Sequence, residues 1–297
     1  MNNIFKINKK LSLVVFVLSL LCFSTFDSNL NQVNILPICF LLIATFGVSH
    51  GSLDHLKGYK VLKFYKIKQK SIFYLSYILF SLIVIFFWIF FPLFTLIIFL
   101  IIASYHFGKE DSEFGKIQQR KYINFYFFFK GSIVILAPLL VKPVETLRIF
   151  EVLNVSLNPY NNNIVIFLIS LSLLSNFFIN KNIVISMIDS FTVIILNITF
   201  SPLIAFTFYF CFLHSIRHSI SLISKFDKRN LKLGAIKFFK KALPLTLITA
   251  LIFISSVYLL NNYFTLNEAI LKVIFIGLAS LTFPHILLEY LLKKNEK

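Results

Sequence analysis

The sequence predicts an all-α fold, a polytopic transmembrane helical bundle of about ten (8–10) spans with both termini cytoplasmic, and three observations carry that prediction. Hydrophobic residues make up 58% of the 297-residue chain, and the mean hydropathy is +0.85. Apolar runs of roughly 15 to 22 residues recur along it, where about 20 are needed to cross the hydrocarbon core squarely. Lysine and arginine collect in alternate connections between these runs, which is the topological signature of a multi-pass chain.

Taken in order, the first run, 11–26, follows Lys6, Lys9 and Lys10. It resembles a signal peptide, but no small-residue cleavage site follows it, so it is read as a retained span. The second covers 33–50. The third and fourth, 72–91 and 93–107, meet at Phe91 and Pro92; the fourth is short, and either enters the membrane in part or pairs with the third as a tight hairpin. The others are 122–141, 164–180, 183–200, 202–218, 243–260 and 270–291. No Gly/Ser-rich linker and no period of about 20 to 50 residues divides the chain, which predicts one helical domain over residues 1–297.

A formal net charge of +17 invites a nucleic-acid reading, but its distribution argues against one. The basic residues lie in the N-terminal tail, in Lys57 to Lys70, in the group Lys109, Lys116, Arg120 and Lys121, in Lys225 to Lys241, and in Lys293, Lys294 and Lys297. The intervening connections are poor in Lys and Arg or balanced by acids, so the positive-inside rule places the basic ones and both termini in the cytoplasm of a cell whose inner (cytoplasmic) membrane holds the protein. Cys22, Cys39 and Cys211 lie in apolar stretches without metal-ligand spacing and read as small buried hydrophobes rather than a disulfide framework.

All six histidines fall at or near the ends of apolar runs, and the predicted topology puts them on one half of the membrane. His50 and His55 end the second run, His106 the fourth, and His214 and His218 the eighth; His285 lies about a turn and a half from the cytoplasmic end of the tenth. Ionisable groups at membrane depth are costly and line a cavity, bind something or pass protons. His214 and His218 are four residues apart, one helical turn, so both imidazoles reach one metal ion. His50 and Asp54 share that spacing, and a carboxylate beside a metal-bound imidazole accepts its second N–H, the role given to Asp54. Glu110 stands four residues after His106, with Asp111 beside it. Against this, His55 or His285 taken singly reads as a hydrogen bond across a helix interface, and Glu110 and Asp111 as interfacial partners of nearby lysines. Imidazoles without thiolates suit Fe, Cu, Ni or Zn, and open positions would take dioxygen; zinc hydrolysis would add a positioned acid or base, Asp54 or Glu110.

The segments Ser49-His50-Gly51-Ser52-Leu53-Asp54-His55, Tyr105-His106-Phe107-Gly108, His214-Ser215-Ile216-Arg217-His218 and Leu281-Thr282-Phe283-Pro284-His285 resemble, in order and spacing, the motifs of the Brp/Blh family of membrane β-carotene 15,15'-dioxygenases. The resemblance runs from about residue 40 to 290. It implies an iron(II) enzyme that uses O2 to split the central double bond of β-carotene into two all-trans-retinal molecules, with the lipid bilayer as its surroundings, no nucleic-acid partner, and the retinal supplied to a microbial rhodopsin. Carried over by position, it implies His50, His106, His214 and His218 as iron ligands. Asp54 completes the expected catalytic set, and His55, Glu110 and His285 are candidates for supporting it. The sequence departs from the family at Ser49, where proline is common, and at Tyr105, where tryptophan is common, which bears on tunnel lining and substrate preference. Two other classes stand beside this one: a diiron desaturase or hydroxylase, whose dense histidine boxes with a His-His pair are absent, and a transporter or b-type haem protein using the same histidines as relays or axial ligands.

Overall fold

In lipid a backbone must satisfy its own N–H and C=O groups, so long apolar runs fold as helices. The computed structural model describes residues 2–25, 35–49, 51–112, 122–157, 160–179 and 182–295, and among them no strand occurs. His50, Lys116, Arg120, Lys121 and Lys297 lie outside the described residues. In chain order the helices are α1 (Asn2–Thr25), α2 (Ile35–Leu42), α3 (Asp54–Phe64), α4 (Ser71–Phe90), α5 (Pro92–Ser112), α6 (Ile123–Val141), α7 (Pro143–Val152), α8 (Asn162–Ile179), α9 (Ile183–Thr199), α10 (Pro202–Phe208), α11 (Ile216–Phe226), α12 (Leu231–Leu260) and α13 (Leu266–Asn295). Among the described residues eight helical stretches are long and apolar enough to cross a membrane, with shorter apolar helices at 162–177 and 183–199. The protein is a multi-pass membrane protein, and each predicted run has a helix at its place.

α5, α12 and α13 overrun the apolar segments that predict them. α5 is a full 21 residues rather than a partial span, and α12 and α13 reach 30 residues each. Lysine is a good helix former, so a helix continues through a basic connection where a hydropathy pattern stops. The end of α5 is capped from α6: Lys130 Nζ donates to the Asp111 carbonyl at 3.3 Å and to Ser112 Oγ at 3.0 Å. α7 is an additional short helix, opened by Pro143 with Glu145 in its first turn, both favourable at a helix start.

Among the described residues two elements are π-helical, and both border the histidines. π-helical segments occupy Ile43–Gly47 after α2 and Tyr209–Ser215 between α10 and α11. Such segments are rare and gather at functional sites. The two pack on each other: Ser215 Oγ donates to the Gly47 carbonyl at 3.0 Å, and a Cβ at Gly47 would come within 2.6 Å of the Phe210 ring. His214 therefore leaves from a π turn, not from the regular helix that the four-residue spacing implies.

α5 and α6 form the most intimate pair. A Cβ at Gly108 would overlap the Phe127 carbonyl, and one at Gly131 the Ser104 carbonyl, so the backbones meet where side chains are missing, as small residues allow between membrane helices. α13 packs on α3, α4 and α12, and α1 on α9. Outward-facing Leu75, Ile89, Phe167, Val184 and Leu251 are exposed large apolar side chains, the surface a bilayer covers.

Candidate metal centre

α5, α11, α13 and the second π segment bring four histidines together. His106, His214, His218 and His285 are each at most 5% exposed. Ring centres are 5.2 Å apart for His106 and His285, 5.5 Å for His106 and His214, and 6.2 Å for His218 and His285. His55 is not in this group: its Nδ1 donates to the Ser52 carbonyl at 2.9 Å, and its ring packs edge-on against Tyr59 near the start of α3.

Three of the four rings are held by a buried carboxylate at Nδ1. His218 donates to Glu110 at 2.6 Å, His285 to Asp54 at 2.7 Å, and His214 to Asp111 at 3.2 Å. A carboxylate only accepts, so it fixes the proton on Nδ1 and leaves Nε2 as the atom each ring offers. Asp54 is expected beside His50, which lies outside the described residues. The described partners of Asp54 are His285, the Tyr77 hydroxyl at 3.1 Å and Lys57 at 3.5 Å. On the C-terminal side of His50 a single 3-10 turn at Gly51–Leu53 leads into α3, which begins at Asp54.

A second ring of charges stands behind the first. Asp111 also accepts from the Tyr209 hydroxyl at 2.6 Å and lies 3.8 Å from Arg217 Nη1. Arg217 is 1% exposed and donates to Asn8 at 2.8 Å, and to Ser12 and Asp189 at 2.6 Å each. A buried guanidinium is tolerable only when paired and hydrogen-bonded in this way. Glu289 accepts from Lys57 at 2.9 Å and Lys109 at 3.0 Å and approaches His285 Nε2 at 3.8 Å. Sequence reasoning misses Glu289; its one local signal is its position four residues after His285.

The donor set fits a divalent first-row metal ion. One ligand atom each from His106, His285 and Glu289 lie within 4.8 Å of one another, and so do those of Glu110, His218 and Glu289. Imidazoles anchored through Nδ1 on carboxylates are the usual surroundings of such an ion.

His106 and His285 also line a cavity of about 530 Å³. Its walls are almost wholly apolar and include Phe99, Phe107, Phe206, Phe210 and Phe275. Along α4 the lining runs from Phe73 to Ile85, roughly 18 Å at about 1.5 Å per residue. Ile78 and Leu82 of α4 and Ile248 and Ile252 of α12 line it while being more than half exposed, so the cavity opens sideways between these two helices.

The family model described as beta-carotene 15,15'-dioxygenase matches residues 41–293. A relative from uncultured marine bacterium 66A03, named beta-carotene 15,15'-dioxygenase, is 29% identical over 264 residues, which cover 84% of this chain and 91% of the relative. No solved structure matches. With the match spanning every histidine in the cluster, the chain belongs to the β-carotene 15,15'-dioxygenase family.

Proposed function

We propose that this member of the family cleaves the central 15,15' double bond of β-carotene with O2 on one iron(II) ion held by His50, His106, His214 and His218, giving two molecules of all-trans-retinal. The observation that carries the reading is the junction of a carboxylate-anchored histidine cluster with an apolar cavity at His106 and His285. A polyene has no group to hydrogen-bond, so a site for it is recognised by length and apolar walls, which this cavity supplies.

The chain's own residues do the positioning. Glu110 and Asp111 hold the His218 and His214 rings in the Nδ1–H tautomer, and Lys57 and Lys109 neutralise Glu289 beside them. The phenylalanine-rich walls exclude water and keep the polyene in register, so that one bond stands at the cluster. Iron(II), when bound, supplies the chemistry by which ground-state dioxygen reacts with an alkene. The balance closes without a further reductant: the C=C bond breaks and each new aldehyde takes one oxygen atom. The substrate would enter from the bilayer between α4 and α12, and the retinal would serve a microbial rhodopsin. The basic connections favour an inner-membrane location with both termini in the cytoplasm, and nothing in the charge pattern calls for nucleic acid.

A two-iron centre of the desaturase type would need Glu289 as a bridge, since it is common to both groups of candidate ligands. Each of its oxygens already takes a lysine ammonium, which favours the single ion. The test is expression in a bacterium that accumulates β-carotene. Orange colour should be lost and retinal should appear, with neither change in the His214→Ala variant and one iron per purified wild-type chain. Unchanged β-carotene in cells containing the inserted protein and iron would reject the reading, and two irons would revive the dinuclear alternative.

A further inference from the structure

We propose that His285 is itself a ligand of the metal, through Nε2, and does more than support the other histidines. The inference rests on the metal-centre reading above and extends its ligand set to α13. His285 has the same surroundings as His214 and His218: a buried ring whose Nδ1 is held by a buried carboxylate, here Asp54 at 2.7 Å. The Tyr77 hydroxyl also donates to that carboxylate oxygen, so the ring is held from α3 and α4 as well as from its own helix.

Distance supports the same conclusion. An imidazole bound at about 2.1 Å has its ring centre about 3.2 Å from the ion, so two rings on one ion stand about 4.5 Å apart at right angles and about 6.4 Å apart when opposite. The separations of His285 from His106 and from His218, 5.2 and 6.2 Å, lie inside that range, as does the 5.5 Å between His106 and His214. Glu289 is the competing donor near His285. Its oxygens are 2.9 and 3.0 Å from the Lys57 and Lys109 ammoniums, whereas it stands 3.8 Å from His285 Nε2, beyond hydrogen-bond reach. The lysines thus hold Glu289 as a counter-ion, and the imidazole is the donor. His285 also faces the cavity beside His106, where a substrate would meet the ion.

The alternative role is a clip that ties Asp54 of α3 to α13, and one variant separates the two. In His285→Asn the side-chain amide can still donate to Asp54 but nothing reaches the position of Nε2. Cobalt(II) titrated into purified apo-protein should bind at least tenfold more weakly to this variant than to wild type, with shifted visible d–d bands. Wild-type affinity and an unchanged spectrum would overturn the proposal. His214→Ala, run alongside, keeps the failures apart: if it too binds cobalt as wild type does, the metal centre itself is misplaced, and if only His285→Asn is silent, the fault is confined to His285. Should His285→Asn fail to fold, X-ray absorption of cobalt-loaded wild-type protein decides, with five imidazole neighbours expected and four refuting the assignment.

Discussion

At the residue scale, the centre is built from pairs, an imidazole and the carboxylate that orients it. Glu110 touches His218 at 2.6 Å and is buried with it. In Glu110→Gln the negative charge goes and the acceptor is exchanged for an amide that also donates, so the ring loses its fixed tautomer. Metal affinity should fall about 10- to 100-fold, read as iron retained per chain against a graded chelator, while membrane insertion and yield stay as in wild type. An unchanged chelator midpoint would show that Glu110 is only a lysine partner, the blander reading of its sequence position. The histidines are legible without a structure because an ionisable residue at membrane depth needs a reason to be there. Their carboxylates are less so. Asp111 reads as an interfacial acid until α11 and the second π segment bring His214, Tyr209 and Arg217 to it from about a hundred residues away. Glu289 meets Lys57 and Lys109 across still larger separations, which no local spacing reports.

At the element scale, the position of His106 depends on how closely α5 lies on α6. Gly131 faces the Ser104 carbonyl two residues before His106, and a Cβ there has no room. Gly131→Ala should push the helices apart and cost about 1–3 kcal/mol, the usual penalty for overpacking a close contact. The effect should appear as a lower melting temperature together with weaker metal retention, because α5 carries His106, Glu110 and Asp111. A substitution at lipid-exposed Leu75 should move neither. The helices themselves are legible as apolar runs, since lipid leaves the backbone no other choice. Their interruptions are not. A π turn uses the same apolar residues as an α turn, so Ile43–Gly47 and Tyr209–Ser215 look like uninterrupted helix in the sequence. Nor does local spacing report the tie between Asp54 and His285, which lie 231 residues apart.

At the scale of the whole molecule, the centre is tied to the far N-terminus. α1 lies ahead of the region the family model matches, residues 41–293, and by sequence it resembles a signal peptide. Yet Asn8 and Ser12 are buried and supply two of the acceptors of Arg217, whose guanidinium stands 3.8 Å from the Asp111 that orients His214. α1 thus works as part of the bundle: it satisfies a buried charge one step behind the proposed metal site. Two consequences can be measured on the purified protein. Mass analysis of the N-terminus should find α1 retained. The double variant Asn8→Leu, Ser12→Ala should lose two hydrogen bonds to a buried cation, each worth about 1.5–3 kcal/mol, seen as a lower melting temperature. Metal retention should also decline, because an under-satisfied Arg217 would turn toward Asp111 and compete with His214 for it. A chain found cleaved after α1, yet holding metal as the full-length protein does, would reduce α1 to a targeting segment. A double variant as stable as wild type would mean that Asp189, 2.6 Å from the guanidinium, is enough to hold Arg217 in place.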